Sequence, residues 1–345
     1  MKRHKQNPDF LHFGERLLRW YRSNSRDLPW RRTSDPYRIW ISEIILQQTQ
    51  VRQGLNHYLN FVERFPTVQD LAEAETDEVL LYWKGLGYYS RALNLHTAAK
   101  QIVFEFNGTF PATYNEILKL KGVGKYTAAA IASICFNEQI PAVDGNFYRV
   151  LSRLFADNFD ITSGASFAYF SQMALRMMPA GSAGDFNQAV MDLGSAVCRP
   201  RNPECILCPL NDVCVAFATG KVHDFPVKTR KTKVENLNLH YYFIVNNQRF
   251  LIRRRGKDFI WKNLYEFPTK VPADWQTVIT KSDIISHKLT HRNLTVQIDQ
   301  IQLSDSKIFT EYGVQQGFVA VTAAESESRS FPKPLESYIR RYFKN

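Results

Sequence analysis

The sequence predicts an all-helical body up to about residue 217, followed by a smaller mixed α/β domain. Three observations predict it. Apolar residues recur at spacings of three and four through the first region. Four of the five cysteines, Cys198, Cys205, Cys208 and Cys214, crowd the end of that region among Pro200, Pro203 and Pro209. Beyond a polar, basic stretch the pattern changes to alternation, with Leu237, Leu239, Tyr241 and Phe243 on one side of a strand. A chain of 345 residues, 44% hydrophobic and 13% aromatic, builds ordinary cores for two domains and is neither disordered nor fibrous.

In chain order, Asn7-Pro8 reads as a cap and first turn for a helix carrying Phe10, Phe13, Leu17, Leu18 and Tyr21. Helical stripes follow over 39–51, 70–83, 90–106, 113–121, 125–136, 146–155, 165–177 and 186–197. Residues 219–236 carry Lys221, Pro226, Lys228, Arg230, Lys231 and Lys233, and read as a linker that can also lie along phosphates. Asn246-Asn247 then supplies a turn, and residues 249–255 return as a second strand. The expected division is a helical region 1–218, a linker 219–236 and a second domain 237–345, with no internal repeat.

The formal charge of +11 points to a polyanion, nucleic acid before an anionic membrane surface. No apolar run approaches the ~20 residues needed to span a bilayer. The basic start, residues 1–6, has no apolar signal core behind it, so export is not expected. Clustered cysteines then fit a reducing cytosol and a metal loop rather than a disulfide framework. Their spacing, C-x6-C-x2-C-x5-C, contains one short pair where a structural zinc site usually has two. Four thiolates also hold iron–sulfur clusters. Spacing alone leaves the metal open.

Thr113-Tyr-Asn-Glu116 reads as a capping box for a short helix through Leu118 and Leu120. Lys121, Gly122, Val123, Gly124 and Lys125 then make a tight turn into an Ala-rich helix from Ala128 to Phe136. Two glycines bare the backbone N–H groups at a helix N-terminus, and the two lysines add charge, which suits a phosphate.

Two carboxylates stand in contrasting surroundings. Glu43 lies among Ile41, Ile44, Ile45 and Leu46, where desolvation raises its pKa toward the range of a general acid. Asp144 precedes Gly145, Asn146 and an apparent helix start, where open N–H groups and the helix dipole favour the anion. Two carboxyls pushed in opposite directions divide the work of acid and anionic stabiliser.

The hairpin, Val143-Asp-Gly-Asn146 and the four cysteines together resemble the helix–hairpin–helix DNA glycosylase superfamily with its trailing [4Fe–4S] loop. Within it, Leu28-Pro-Trp-Arg31, Trp40-Ile-Ser-Glu43, Leu46-Gln-Gln-Thr-Gln-Val51, Gly85-Leu-Gly-Tyr-Tyr-Ser-Arg91, Phe186-Asn-Gln188 and Trp261-Lys-Asn-Leu-Tyr-Glu-Phe-Pro268 resemble the adenine DNA glycosylases of the MutY type.

The resemblance implies a [4Fe–4S] cluster on Cys198, Cys205, Cys208 and Cys214, and a Nudix-like domain over 237–345 that binds without hydrolysing, since no long Glu-rich hydrolase box is present. It implies that Glu43 protonates a flipped adenine at N7 and then activates water. Asp144 stabilises the sugar cation, directly or through a covalent adduct, and Asn146 and Tyr126 complete the catalytic set. Arg26, Trp30, Arg31 and Gln188 match the adenine pocket. Gln48 with Thr49, Leu86 and Tyr88 match positions at the base stack and the opposing base. Lys121, Gly122, Val123, Gly124 and Lys125 match the backbone-binding hairpin. Ser286-His287 matches a loop that reads 8-oxoguanine, with Ile285 where many members carry Phe.

Tyr126 matches the position at which endonuclease III-like relatives carry an imine-forming lysine, which implies base removal without efficient strand cleavage. The implied partner is duplex DNA containing adenine opposite 8-oxoguanine or guanine. The implied protein is monomeric, cytoplasmic and associated with the nucleoid. The competing readings are a bifunctional glycosylase–lyase acting on oxidised pyrimidines, and a non-catalytic metal-containing DNA-binding protein.

Overall fold

The computed structural model describes residues 10–229, 234–256 and 260–343. The Asn7-Pro8 cap, the basic start and Arg230, Lys231 and Lys233 of the linker lie outside the described residues. The chain divides into two compact units. One comprises Met1–Glu73 with Thr97–Lys231, the other Ala74–His96 with Thr232–Asn345.

The helical part runs through α1 (Phe10–Asn24), α2 (Pro36–Leu46), α3 (Val51–Arg64), α4 (Val68–Glu73), α5 (Thr76–Tyr82), α6 (Ser90–Glu105), α7 (Tyr114–Ile117), α8 (Lys125–Phe136), α9 (Gly145–Phe155), α10 (Ser166–Met177), α11 (Ala183–Asp192) and α12 (Val215–Ala218). Two stripes differ from expectation. The stripe over 39–51 is broken, because Gln48 takes φ +56° and the chain restarts as α3. A left-handed residue cannot continue a right-handed helix. The stripe over 70–83 is likewise two helices, α4 and α5.

One core of the first unit gathers Leu17 and Leu18 of α1, Phe147, Leu151 and Leu154 of α9, Phe170 and Met177 of α10, and Phe186 and Val190 of α11. At ~1.5–3 kcal/mol for each fully buried large apolar side chain, this cluster fixes α9 and α11 firmly. Both helices present site residues. The Ala-rich α8 packs against α2 and α11, its small side chains permitting close approach.

In the second unit, β1 (Glu235–Asn246), β2 (Arg249–Arg254), β3 (Tyr265–Glu266), β4 (Ile279–Leu289), β5 (Arg292–Gln302) and β6 (Val319–Val321) form one sheet in the order β3-β2-β1-β5-β4, with β6 also on β2. β1 and β5 run parallel from Glu235↔Arg292 to Val245↔Gln302, and the other pairs are antiparallel. The β1–β2 turn has Asn247 and Gln248 at positive φ (44° and 64°), the hairpin geometry that matches strand twist. α13 (Ser306–Gln316), α14 (Ala323–Glu327) and α15 (Lys333–Tyr342) accompany the sheet, and α5 with the first turns of α6 belongs to the same unit. Leu335, Tyr338 and Ile339 of α15 pack with Tyr241, Phe243, Val296 and Ile298 of the sheet. No helix among the described residues is long and apolar enough to cross a membrane.

Candidate active site

A cleft of about 680 Å³ opens in the helical unit, with Arg26, Trp30, Arg31, Glu43, Gln48, Gly122, Gly124, Lys125, Tyr126, Asp144 and Gln188 among its walls. Residues far apart in the chain thus converge on one space, because α2, α8, α9 and α11 each end or turn there.

α2 supplies Glu43. Asp35 caps the helix by accepting the Tyr37 N–H at 2.9 Å, and Pro36 starts its first turn. Ile39, Ile41, Ile44 and Ile45 are buried, leaving half-buried Glu43 at the cleft. Burial pushes its carboxyl up to about 7. A hydrogen bond donated by Tyr126 opposes that rise, the charge of Asp144 adds to it, and Arg31 opposes it. The Tyr126 hydroxyl, on the first turn of α8, is held far above its ordinary pKa by burial and by the two carboxylates. It also lies 3.6 Å from the Met191 sulfur.

Asp144 caps α9. Its Oδ1 accepts the N–H groups of Asn146 and Phe147, both at 2.9 Å, and its Oδ2 accepts the Asn146 side-chain amide at 2.6 Å. The cap fits the sequence reading, but the expected depressed pKa does not hold. Burial raises the carboxyl above its ordinary value, outweighing the Phe147 and Asn146 donors and the Arg149 charge. The approach to Asp144 is fixed by Asn187, whose carbonyl accepts the Ala142 N–H at 3.0 Å and whose amide donates to Ser133 Oγ (2.8 Å) and the Ile140 carbonyl (2.9 Å).

Behind Asp144, Arg149 donates to the Cys198 carbonyl (2.7 Å), the Gly145 carbonyl (3.1 Å), Asn146 Oδ1 (2.7 Å) and the Gly194 carbonyl (2.7 Å). Residue 194 must be glycine, since a Cβ there would lie 2.6 Å from that of Asn146. One turn on, Arg153 donates to the Cys198 sulfur at 3.4 Å and to the Arg199 carbonyl at 2.8 Å. The four cysteines are half-buried, unbonded to one another, and line one small cavity with Arg153, Val197 and Val222. Burial raises the Cys208 thiol to about 12, so a thiolate set there calls for a cationic group. No three His, Cys, Asp or Glu side chains among the described residues form a ready single-ion site. Four thiols around one cavity, with a guanidinium on one sulfur, suit a thiolate-bound cluster.

At the other wall, Asp192 is 1% exposed and holds both pocket arginines. Arg26 Nε donates to its Oδ1 at 2.7 Å, Arg31 Nη1 to Oδ2 at 2.5 Å and Arg31 Nη2 to Oδ1 at 2.8 Å. Trp30 is buried edge-on to Tyr58, with ring centroids 5.1 Å apart. Sequence reasoning missed Asp192, Arg149 and Arg153. Their signal was a charged residue on an otherwise apolar helical stripe, which has to be paired to be buried.

The hairpin forms as read. Thr113 and Glu116 make the capping box, Gly122 has φ +77°, and Gly124 caps α8. The Lys121 N–H is taken by Gln101 Oε1 at 2.7 Å and the Val123 N–H by the Leu120 carbonyl at 3.1 Å. Among the described residues, no protein acceptor meets the N–H of Gly122 or Gly124. The Lys125 ammonium lies 5.0 Å from the centroid of the Phe167 ring.

Thr49 does not line the cleft, and Leu86, Tyr88, Ser286 and His287 belong to the other unit. Thr49 is half-buried, next to exposed Gln48. Leu86 is buried, whereas Tyr88 is 45% exposed at φ +48° and bonds through its hydroxyl to Thr290. Ser286 and His287 are expected in a loop but stand on β4, opposite Thr295 and Leu294 of β5. Alternation along the strand exposes Ser286 and turns half-buried His287 to the side of Ile285, which packs on the core.

Residues 41–171 match the HhH-GPD superfamily of base excision DNA repair proteins, and residues 240–341 match the NUDIX domain. An adenine DNA glycosylase of Buchnera aphidicola subsp. Baizongia pistaciae is 35% identical over 315 residues, spanning 86% of this chain and 88% of that protein. One from Homo sapiens is 43% identical over 209 residues, 58% of this chain and 38% of that protein. A thermostable thymine-DNA glycosylase structure superposes with a TM-score of 0.56 at 30% identity, over 62% of this chain and 98% of that one. An endonuclease III–DNA complex superposes at 0.53 and 20% identity, over 61% and 95%, which supports the fold. With a glycosylase body and a NUDIX domain in one chain, and a near full-length likeness to a named enzyme, the chain belongs to the adenine DNA glycosylases, base excision repair hydrolases acting on N-glycosyl bonds.

Proposed function

We propose that the protein excises adenine paired with 8-oxoguanine, and with guanine, and leaves the strand uncut. The observation that carries this reading is a carboxyl held near neutrality, Glu43 at about 7, in a cleft shared with Asp144 and Tyr126. The adenine leaves the stack, at a cost of a few kcal/mol, and enters between Arg26, Trp30, Arg31 and Gln188. Gln48, Thr49, Leu86 and Tyr88 act at the gap and the opposing base. Glu43 gives its proton to N7, and the glycosidic bond breaks with its electron pair on the base. The Asp144 carboxylate, oriented by Asn146, stabilises the sugar cation. Glu43, now anionic, takes a proton from water as its oxygen bonds C1′. Tyr126 supplies no amine for an imine, and the Lys125 ammonium is engaged with Phe167.

The hairpin 121–125 binds a DNA phosphate through Gly122 and Gly124. Cys198, Cys205, Cys208 and Cys214 hold a [4Fe–4S] cluster, and residues 237–345, joined by the linker 219–236 to the body 1–218, inspect the base opposite the adenine through Ser286 and His287. The enzyme works as a cytoplasmic monomer on the nucleoid. Single-turnover base release from A·8-oxoguanine, A·G and A·T duplexes, with and without alkali to cut abasic sites, tests the reading. Release from the first two, with strand breaks only after alkali, is the expected result. Breaks without alkali, trapped by borohydride, would replace it with the bifunctional alternative.

A further inference from the structure

We propose that Asp192 is a positioning residue of the excision reaction, clamping Arg26 and Arg31 at the cleft wall and cancelling cationic charge that otherwise faces Glu43. The inference rests on the assignment of Glu43 as the acid. Asp192 is the last residue of α11, and its carboxylate is 1% exposed. Both its oxygens are engaged by arginine: Oδ1 takes Arg26 Nε and Arg31 Nη2, and Oδ2 takes Arg31 Nη1, all between 2.5 and 2.8 Å. The Arg26 backbone N–H adds a contact to Oδ2 at 3.3 Å, and Arg31 Nη1 reaches back to the Arg26 carbonyl at 3.3 Å. A two-point fork of this kind fixes the plane of the guanidinium as well as its place.

Two guanidiniums against one carboxylate leave a single net positive charge at this wall. That balance matters because the Arg31 side chain is only 11% exposed, so water screens its field poorly. The groups facing Glu43 are Tyr126 and Cys135 from α8, Asp144 at the start of α9, and Arg31. Arg31 acts to favour the carboxylate; Lys125, on the first turn of α8, and Arg26 are the other cations lining the cleft. Tyr21, whose ring lies 5.6 Å beneath the Arg31 guanidinium, and Asp185, which acts on Tyr21, are further titratable groups beside the pair. An uncompensated Arg31 would strip the proton that the acid has to donate. Asp192 is not among the residues that line the cleft; it acts through the arginines.

A general acid works in its protonated form, so the rate falls as pH rises through the pKa of Glu43. In Asp192→Asn the geometry is nearly kept and the charge is lost. The descending limb of the pH–rate profile then moves to lower pH, and single-turnover excision at pH 7.5 drops by about ten-fold or more, on the scale of general-acid catalysis. Arg31→Gln moves the same limb the opposite way, to higher pH, whatever its amplitude. Asp192→Glu keeps the charge and therefore the position of the limb, even where the longer side chain lowers the rate.

The experiment is the pH profile of single-turnover adenine release by full-length wild type and these three variants, beside Glu43→Gln. Opposite displacements in Asp192→Asn and Arg31→Gln support the clamp. If Asp192→Asn folds poorly, Arg31→Gln still tests the premise: a limb that stays at its wild-type pH there leaves no cationic charge for Asp192 to cancel and overturns the proposal. Reduced rates with every limb at its wild-type pH mean a merely structural Asp192 and overturn the proposal. A descending limb that persists in Glu43→Gln instead overturns the assignment of the acid, which separates the two failures.

Discussion

Arg149 joins Cys198 to Asn146: its Nε donates to the Cys198 carbonyl and its Nη2 to Asn146 Oδ1, both at 2.7 Å. Asn146 in turn donates to Asp144 at 2.6 Å, so two side chains separate the first cysteine of the loop from a candidate catalytic carboxylate. Arg149→Ala leaves the Cys198 and Gly194 carbonyls and Asn146 without this donor, at ~1–3 kcal/mol for each buried group left unsatisfied. Excision falls, because a misplacement of ~1 Å costs up to ~10²-fold in rate. Arg149→Lys recovers little, since one ammonium cannot serve acceptors spread around a fork. Single-turnover rates at saturating DNA check this, and a near wild-type rate in Arg149→Ala refutes the coupling.

Glu43→Gln has two expected consequences of opposite kind. Base excision falls by ~10²–10⁴, the usual contribution of a positioned proton donor, while duplex binding persists. Binding measured beside the rate separates a lost acid from a lost site.

The second consequence concerns stability. The folded pKa of Glu43, about 7, lies above its ordinary 4.5, so folding opposes ionisation of this carboxyl. The penalty is absent below pH 4.5, grows as pH rises, and is complete above about 7. Glu43→Gln therefore gains stability over wild type at pH 8 and loses that advantage at pH 4.5. At ~1.4 kcal/mol per unit, the gain is at most about 3 kcal/mol. Denaturant unfolding at the two pH values measures it, and an equal difference at both defeats the assignment of a raised pKa.

Much of this site was legible in the sequence. Glu43 stands out because an acid inside an isoleucine run is costly to bury and signals a task for the carboxyl, and Asp144 because Asp-Gly-Asn reads as a helix start. The sign at Asp144 was not legible. Capping donors are local and visible in sequence, but the burial that outweighs them comes from distant parts of the chain. Asp192 was hidden for the same reason, since its partners lie 166 and 161 positions away. The start of α3 is invisible in the pattern because Gln48 breaks the run by taking positive φ without being glycine. Ser286 was expected in a loop only through the family resemblance; along a strand with one wet face a Ser-His pair is ordinary alternation.

The cysteine loop yields a prediction independent of the chemistry. Purified protein contains iron and is brown, and Cys205→Ser loses iron, thermal stability and DNA affinity before it loses the pH profile of excision. The cysteines supply no acid or base; Arg153 and Arg149 tie the loop's backbone to α9, and only through Arg149 and Asn146 does that tie reach Asp144. Iron analysis and unfolding curves check it. A colourless, zinc-loaded and fully active protein contradicts the cluster assignment.

Ser286 and His287 stand on opposite faces of β4, so their substitutions should separate rather than reinforce one another. Ser286 is exposed beside Thr295, so a Ser286→Ala change strands no buried partner among the described residues. If Ser286 reads the opposing base as proposed, removing the hydroxyl costs one hydrogen bond, ~0.5–1.5 kcal/mol, and lowers the preference for 8-oxoguanine over guanine by roughly two- to ten-fold without changing stability. His287 lies half-buried on the side of Ile285 and Leu289, which pack on the sheet core. Burial lowers its pKa, so the folded state favours the neutral ring. His287→Ala therefore lowers the unfolding midpoint and alters the preference less. The ratio of single-turnover rates on A·8-oxoguanine and A·G duplexes, measured beside thermal unfolding for each variant, is the test. A changed ratio in His287→Ala with an unchanged one in Ser286→Ala would mean that the inner face of β4, not the wet one, carries the recognition.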